Sequence, residues 1–120
     1  MTLQECYAAM GGNYEDAIGR LRSERLVQKF VLKFLDDGSY HLLCRSLEEK
    51  NYPEAFRAAH TIKGVCQNLS IDKLQSSSSR LCESLRNGYT PEADNLAEEV
   101  AADYQLTVSA IQAFQKESAG

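Results

Sequence analysis

The chain has 120 residues, 43% of them hydrophobic and 25% charged, with a net charge of −4 and a pI near 5.2. That length buries one core without metal or disulfide staples, and the ordinary composition is that of a globular protein. The acidic balance, with no Lys/Arg cluster, excludes a nucleic-acid footprint, and no apolar run approaches the roughly 20 residues that cross a bilayer.

The first residues, Met1 to Cys6, carry an acid where a secretory leader would carry basic and then apolar residues, so no signal peptide is expected. Cys6, Cys44, Cys66 and Cys82 form no C-x-x-C pair and have no histidine at zinc-like spacing. They read as reduced, buried or nearly buried thiols of a cytosolic protein.

Two short helices are expected first, about Thr2–Met10 and Tyr14–Arg20, split by Gly11-Gly12. Leu26, Phe30, Phe34 and Val27, Val31, Leu35 then mark a broad apolar helical face. Asp36-Asp37-Gly38 ends that helix, and Ser39 is placed to cap the next, which carries Leu42, Leu43 and Leu47. Asn51-Tyr52 reads as a break, with Pro53 at the first position of a new helix. Ala55, Ala59, Ile62, Cys66 and Leu69 form its stripe. Ser70 is expected to cap a helix from Ile71 that contains Leu74, Leu81 and Leu85 and is closed by Asn87-Gly88. Inside it, Ser76 to Ser79 read as small residues, some at a close helix contact. Thr90 before Pro91 should cap the last helix, with Glu92 in its first turn. Leu96, Val100, Tyr104, Val108 and Ile111 carry that helix to about Lys116. No sustained two-residue alternation marks a strand. Short connections make neighbouring helices antiparallel. The expectation is therefore an all-α protein, an up-down antiparallel four-helix bundle with short N-terminal helices. It forms one domain over 1–120 with a bundle core of about 22–117.

The chemistry concentrates in residues 58–69. At about 100° per residue, Ala55, Ala59, Ile62, Val65, Cys66 and Leu69 fall on one side, while His60, Lys63, Gly64 and Gln67 share the other. His60 thus faces solvent, with a lysine one turn along. Glycine inside a helix costs about 1 kcal/mol relative to alanine, and on an exposed face no core packing demands it. Gly64 instead clears space beside the imidazole. Phe56, at i−4 from His60, adds an aromatic at the same face and suggests a docking patch. A neutral imidazole is a nucleophile near neutral pH, and a nearby ammonium stabilises phosphoryl charge. Phosphoryl transfer asks mostly for positioning and charge stabilisation. A surface histidine, an i, i+3 His/Lys pair and a helical glycine each have an ordinary explanation; their conjunction on one face favours phosphoryl acceptance.

Ala59-His60-Thr61-Ile62-Lys63-Gly64, followed by Asn68-Leu69, closely resembles the signature of histidine phosphotransfer (HPt) domains, A-H-x-[LI]-K-G with N-L farther along. Gly11-Gly12-Asn13, the helical hairpin leading to Pro53, and Leu74 and Leu81 also fit, so the resemblance covers nearly the whole chain. It implies a four-helix core with His60 exposed midway along one helix and phosphorylated at Nε2. Lys63 matches the lysine that holds the phosphoryl group, and Gly64 the glycine that opens the surface. It further implies a carrier that exchanges phosphoryl groups with response-regulator receiver domains and a hybrid sensor kinase; the cysteine usage places it in the cytoplasm, and a monomer is the default oligomeric state. The receiver brings Mg²⁺, so no cofactor or metal is expected on this chain.

Departures concern Gln67 and Ser70, where the family commonly has a small residue and a glycine, and Cys82, where some members place a glutamine near the histidine. Gln67 is a candidate either to hydrogen-bond the phosphoryl group or to modify partner access. Arg86, one turn beyond Cys82, supplies charge if it faces His60. Phe56, Gln67 and Arg86 are therefore the candidate binding residues. The competing reading is a helical adaptor that keeps the fold and binds a receiver without transfer; the intact His60, Lys63 and Gly64 argue against it. A third reading, a kinase with its own phosphorylation site, is disfavoured: there is no room for an ATP-binding domain and no Gly-rich nucleotide motif, so autophosphorylation from ATP is not expected. A metal site shared by His41 and His60 lacks ligand spacing, and His41 reads as a surface residue.

Overall fold

The computed structural model describes residues 1–119, with side chains described through Glu117. Seven helices follow in order: α1 (Leu3–Met10), α2 (Tyr14–Leu21), α3 (Glu24–Lys33, running into a 3-10 turn at Phe34–Asp36), α4 (Ser39–Glu48), α5 (Tyr52–Leu69), α6 (Asp72–Ser84) and α7 (Glu92–Ala119). No strand occurs among the described residues.

Most starts are explained by their caps, because the first N–H groups of a helix need acceptors. Thr2 and Glu5 form a reciprocal capping box on α1. Asn13, Ser23 and Asn51 cap α2, α3 and α5 by accepting an amide N–H of the first turn.

Helices α4 to α7 pack as successive neighbours, α4 on α5, α5 on α6 and α6 on α7. Tyr40 of α4 stacks on Tyr104 of α7 with centroids 3.9 Å apart and planes at 11°, which links the last helix back to α4. The short N-terminal helices are part of this packing. Helix α1 lies on α7, and its Leu3, Cys6, Tyr7 and Met10 join one buried cluster that runs on to Phe114.

The α1–α2 turn grips the α5–α6 turn. The Asn13 N–H donates to the Ser70 carbonyl at 2.8 Å and the Lys73 N–H to the Gly11 carbonyl at 3.1 Å. The Tyr7 hydroxyl donates to the Leu69 carbonyl at 2.7 Å. A Cβ on Gly12 would come within 2.8 Å of the Tyr7 ring and 2.9 Å of the Ser70 oxygen, so only glycine fits there.

Several local expectations need correction. Ser70 does not cap α6. It ends α5 in the left-handed region at φ 56°, and its hydroxyl donates to the Asp16 carboxylate at 2.5 Å. Helix α6 begins at Asp72 with no side-chain cap. Ser39 is the first residue of α4, and the Asp37 carboxylate accepts its N–H. Leu26 does not join the core and is 40% exposed, because it stands about 100° off the buried Val27–Val31 line. Helix α6 stops at Ser84, before Asn87-Gly88. The Thr90 hydroxyl donates back to the Ser84 carbonyl at 3.3 Å, and α7 starts at Glu92 and continues past Lys116. Pro53 is the second residue of α5. Within the serine run, Ser77 and Ser78 are buried and return their hydroxyls to the Leu74 carbonyl.

Candidate functional site

Helix α5 is built to present one face outward. Ala55, Ala58, Ala59, Ile62, Cys66 and Leu69 are buried and bind the helix to its neighbours, with α4 and α6 flanking it. On the opposite face His60, Gly64 and Gln67 are exposed and Lys63 is half-buried. A half-buried lysine lays its aliphatic stem on the surface and keeps its ammonium in water. Val65, expected in the stripe, is also only half-buried. A Cβ placed on Gly64 meets nothing within 4 Å. The missing side chain is therefore not required by packing inside this chain.

The end of α6 and the turn after it add a second row of groups beside Phe56 of α5. The Phe56 ring stands 6.3 Å from the His60 ring, tilted at 49°. The Arg86 guanidinium lies over the Phe56 ring, its carbon 5.4 Å from the centroid, a cation–π distance. Arg86 thus reaches His60's aromatic neighbour. It is also paired with Glu83, Nη2 to Oε2 at 3.0 Å, with Nε donating to both carboxylate oxygens at 3.1 and 3.2 Å.

Cys82 lies buried beneath this row. Its thiol faces the Phe56 carbonyl at 4.0 Å rather than the exposed face. Burial pushes the Cys82 thiol upward, opposed by the charges of Lys63 and Arg86. The Arg86 hydrogen bonds hold the Glu83 carboxyl below the usual range, and Lys63 adds to the effect. Lys63, Arg86 and Glu83 therefore share one electrostatic neighbourhood. Sequence reading does not single out Glu83, although its i, i+3 spacing from Arg86 signals an ion pair.

On the other flank of α5, Phe30, Lys33, Val65 and Asn68 line a shallow groove. His41 is exposed on α4, edge-on to Tyr40 with centroids 6.1 Å apart. Among the described residues no three His, Cys, Asp or Glu side chains are placed to hold a metal ion, and no helix is long and apolar enough to cross a membrane. Cys6, Cys66 and Cys82 are buried and Cys44 half-buried, all as free thiols.

The arrangement offers an exposed nucleophilic ring, a cation one turn away, a second cation held by an aromatic, and open space beside the ring. A family model described as the Hpt domain matches residues 25–114. No curated protein and no solved structure matches the chain.

Proposed function

The chain belongs to the Hpt domain family, whose members carry phosphoryl groups on histidine in phosphorelays, and from that premise we propose that His60 accepts a phosphoryl group from a receiver-domain aspartate and returns it to another. The observation that carries this reading is the exposed His60 with Lys63 one turn on and open space at Gly64.

The step is a displacement at phosphorus. The unprotonated Nε2 of His60 attacks an aspartyl phosphate on the receiver. The P–N bond forms, the P–O bond breaks, and the aspartate carboxylate leaves with the electron pair. The remaining imidazole proton stays on Nδ1. Lys63 balances the charge on the phosphoryl oxygens, and α5 fixes the ring so that little reorganisation is needed. Gly64 admits the receiver to the ring, Gln67 lies beside its path as a hydrogen-bond donor, and Phe56 and Arg86 form the edge it meets. The Mg²⁺ that assists such chemistry belongs to the receiver. The protein is a carrier without its own ATP-dependent activity, and the unit performing this role spans 1–120. It acts as a cytoplasmic monomer between response-regulator receiver domains and a hybrid sensor kinase.

The test mixes the purified chain with phosphorylated receiver domains and Mg²⁺ and compares wild type with His60→Gln. Acid-labile, base-stable label on wild type alone is expected. If no receiver labels the wild type, the carrier reading fails and the receiver-binding adaptor takes its place.

A further inference from the structure

We propose that Glu83 sets the transfer equilibrium: its carboxylate opposes the charge of a phosphoryl group on His60 and favours return of that group to the receiver aspartate. This inference rests on the carrier reading above and adds a tuning residue to the same site.

Two cations attend the exposed face, Lys63 on α5 and Arg86 in the turn just after α6, and both would stabilise a phosphoryl group, which carries about −1.5 to −2 near neutral pH. Glu83 stands against both. It occupies Arg86 through three contacts of 3.0 to 3.2 Å, and Lys63 acts on its carboxyl across the interhelical gap. Arg86 is held over Phe56, and Phe56 is the aromatic neighbour of His60. The carboxylate is therefore linked to His60 through Arg86 and Phe56.

Glu83 is not required by packing. Its side chain is 69% exposed and that of Arg86 52%. An exposed pair of this kind adds little to stability. Its effect on a neighbouring dianion is another matter. A single charge about 10 Å from a double charge in water changes an equilibrium by about fourfold. The Debye length is about 8 Å at 0.15 M salt, so the same effect falls below about twofold there. Neutralising Glu83 also frees the guanidinium of Arg86, which acts in the same direction.

The experiment brings the full chain and a receiver domain that labels it to equilibrium, and reads the ratio of phosphohistidine to aspartyl phosphate. Glu83→Gln should raise that ratio about fourfold at low salt, and the gain should shrink as salt is added. Glu83→Asp should keep the wild-type ratio. Glu83→Lys should shift it in the same direction by about twice the logarithm, and Arg86→Gln should lower it. A ratio for Glu83→Gln equal to or below that of wild type at low salt overturns the inference, as does a shift that salt leaves unchanged. Label on the wild type with no such shift defeats the role of Glu83 alone. Failure of every receiver to label the wild type defeats the carrier reading and this inference together.

Discussion

Gly64 separates what the fold wants from what the site wants. A Cβ there meets nothing within 4 Å, and alanine is preferred over glycine in a helix interior by about 1 kcal/mol. Gly64→Ala should therefore stabilise the protein by about that amount, seen as a higher urea midpoint. It should also slow phosphoryl transfer from a receiver, because the methyl group takes up open space on the face that carries His60. Gly64→Leu should abolish transfer and leave the fold intact. A rate unchanged in Gly64→Leu would show that the open space serves no partner. The thiols are ranked by burial in the same way. Burial pushes Cys66 up to about 12 and Cys6 up to about 11, so few thiolates exist at either near neutral pH, and the thiolate is the nucleophile. Half-buried Cys44 should react first with iodoacetamide on the native protein. Mass mapping that finds Cys66 modified earlier would contradict this packing.

The contact between the α1–α2 and α5–α6 turns sets how the elements hold together, and it has a pH signature. Asp16 accepts from the Ser70 hydroxyl and from Arg20, which hold its carboxyl below the ordinary 3.8. A carboxylate with a depressed folded value adds stability above its unfolded value and loses it as pH falls through the folded one. The difference in melting temperature between wild type and Asp16→Asn should be constant near neutrality and shrink below about pH 4. A difference that grows on acidification would refute the role of this pair. Gly12→Ala should destabilise by about 1–3 kcal/mol, since the clash is partly with the Ser70 backbone oxygen. Ser70 also shows where sequence reading stops. A serine between two apolar stripes reads equally as the start of one helix or the end of another. The long-range contact with Asp16 and the Asn13 N–H decides it, and the left-handed φ explains why glycine is the family's choice. Leu26 is misplaced for a related reason: periodicity marks an apolar face but does not say how much of it a neighbour covers. The shared face of His60, Lys63, Gly64 and Gln67 is legible because helical geometry alone aligns it. The meeting of Phe56 with Arg86 and Glu83 depends on the register of α5 against α6, which no local pattern records.

At the scale of the whole molecule, the family-matched span and the packed core do not coincide. The match begins at residue 25, yet the buried cluster includes Leu3, Cys6, Tyr7, Met10 and Ala17. Fully burying a large apolar side chain contributes roughly 1.5–3 kcal/mol. Leu3, Tyr7 and Met10 together thus contribute on the order of 5–9 kcal/mol, comparable to the roughly 5–15 kcal/mol that holds a typical domain folded. Removing them would also uncover the side of α7 that α1 occupies and leave the Leu69 carbonyl without the Tyr7 hydroxyl. A chain starting at residue 22 keeps Phe56, His60, Lys63, Gly64, Gln67, Glu83 and Arg86, every group assigned to the chemistry. It should nevertheless lose its cooperative urea transition, bind a hydrophobic dye and retain helical circular dichroism, the behaviour of a loosely packed bundle. Phosphoryl transfer should fall with it, because α5 would no longer hold the histidine in one place. A truncated chain with the full-length urea midpoint would show that α1 covers the bundle without supporting it.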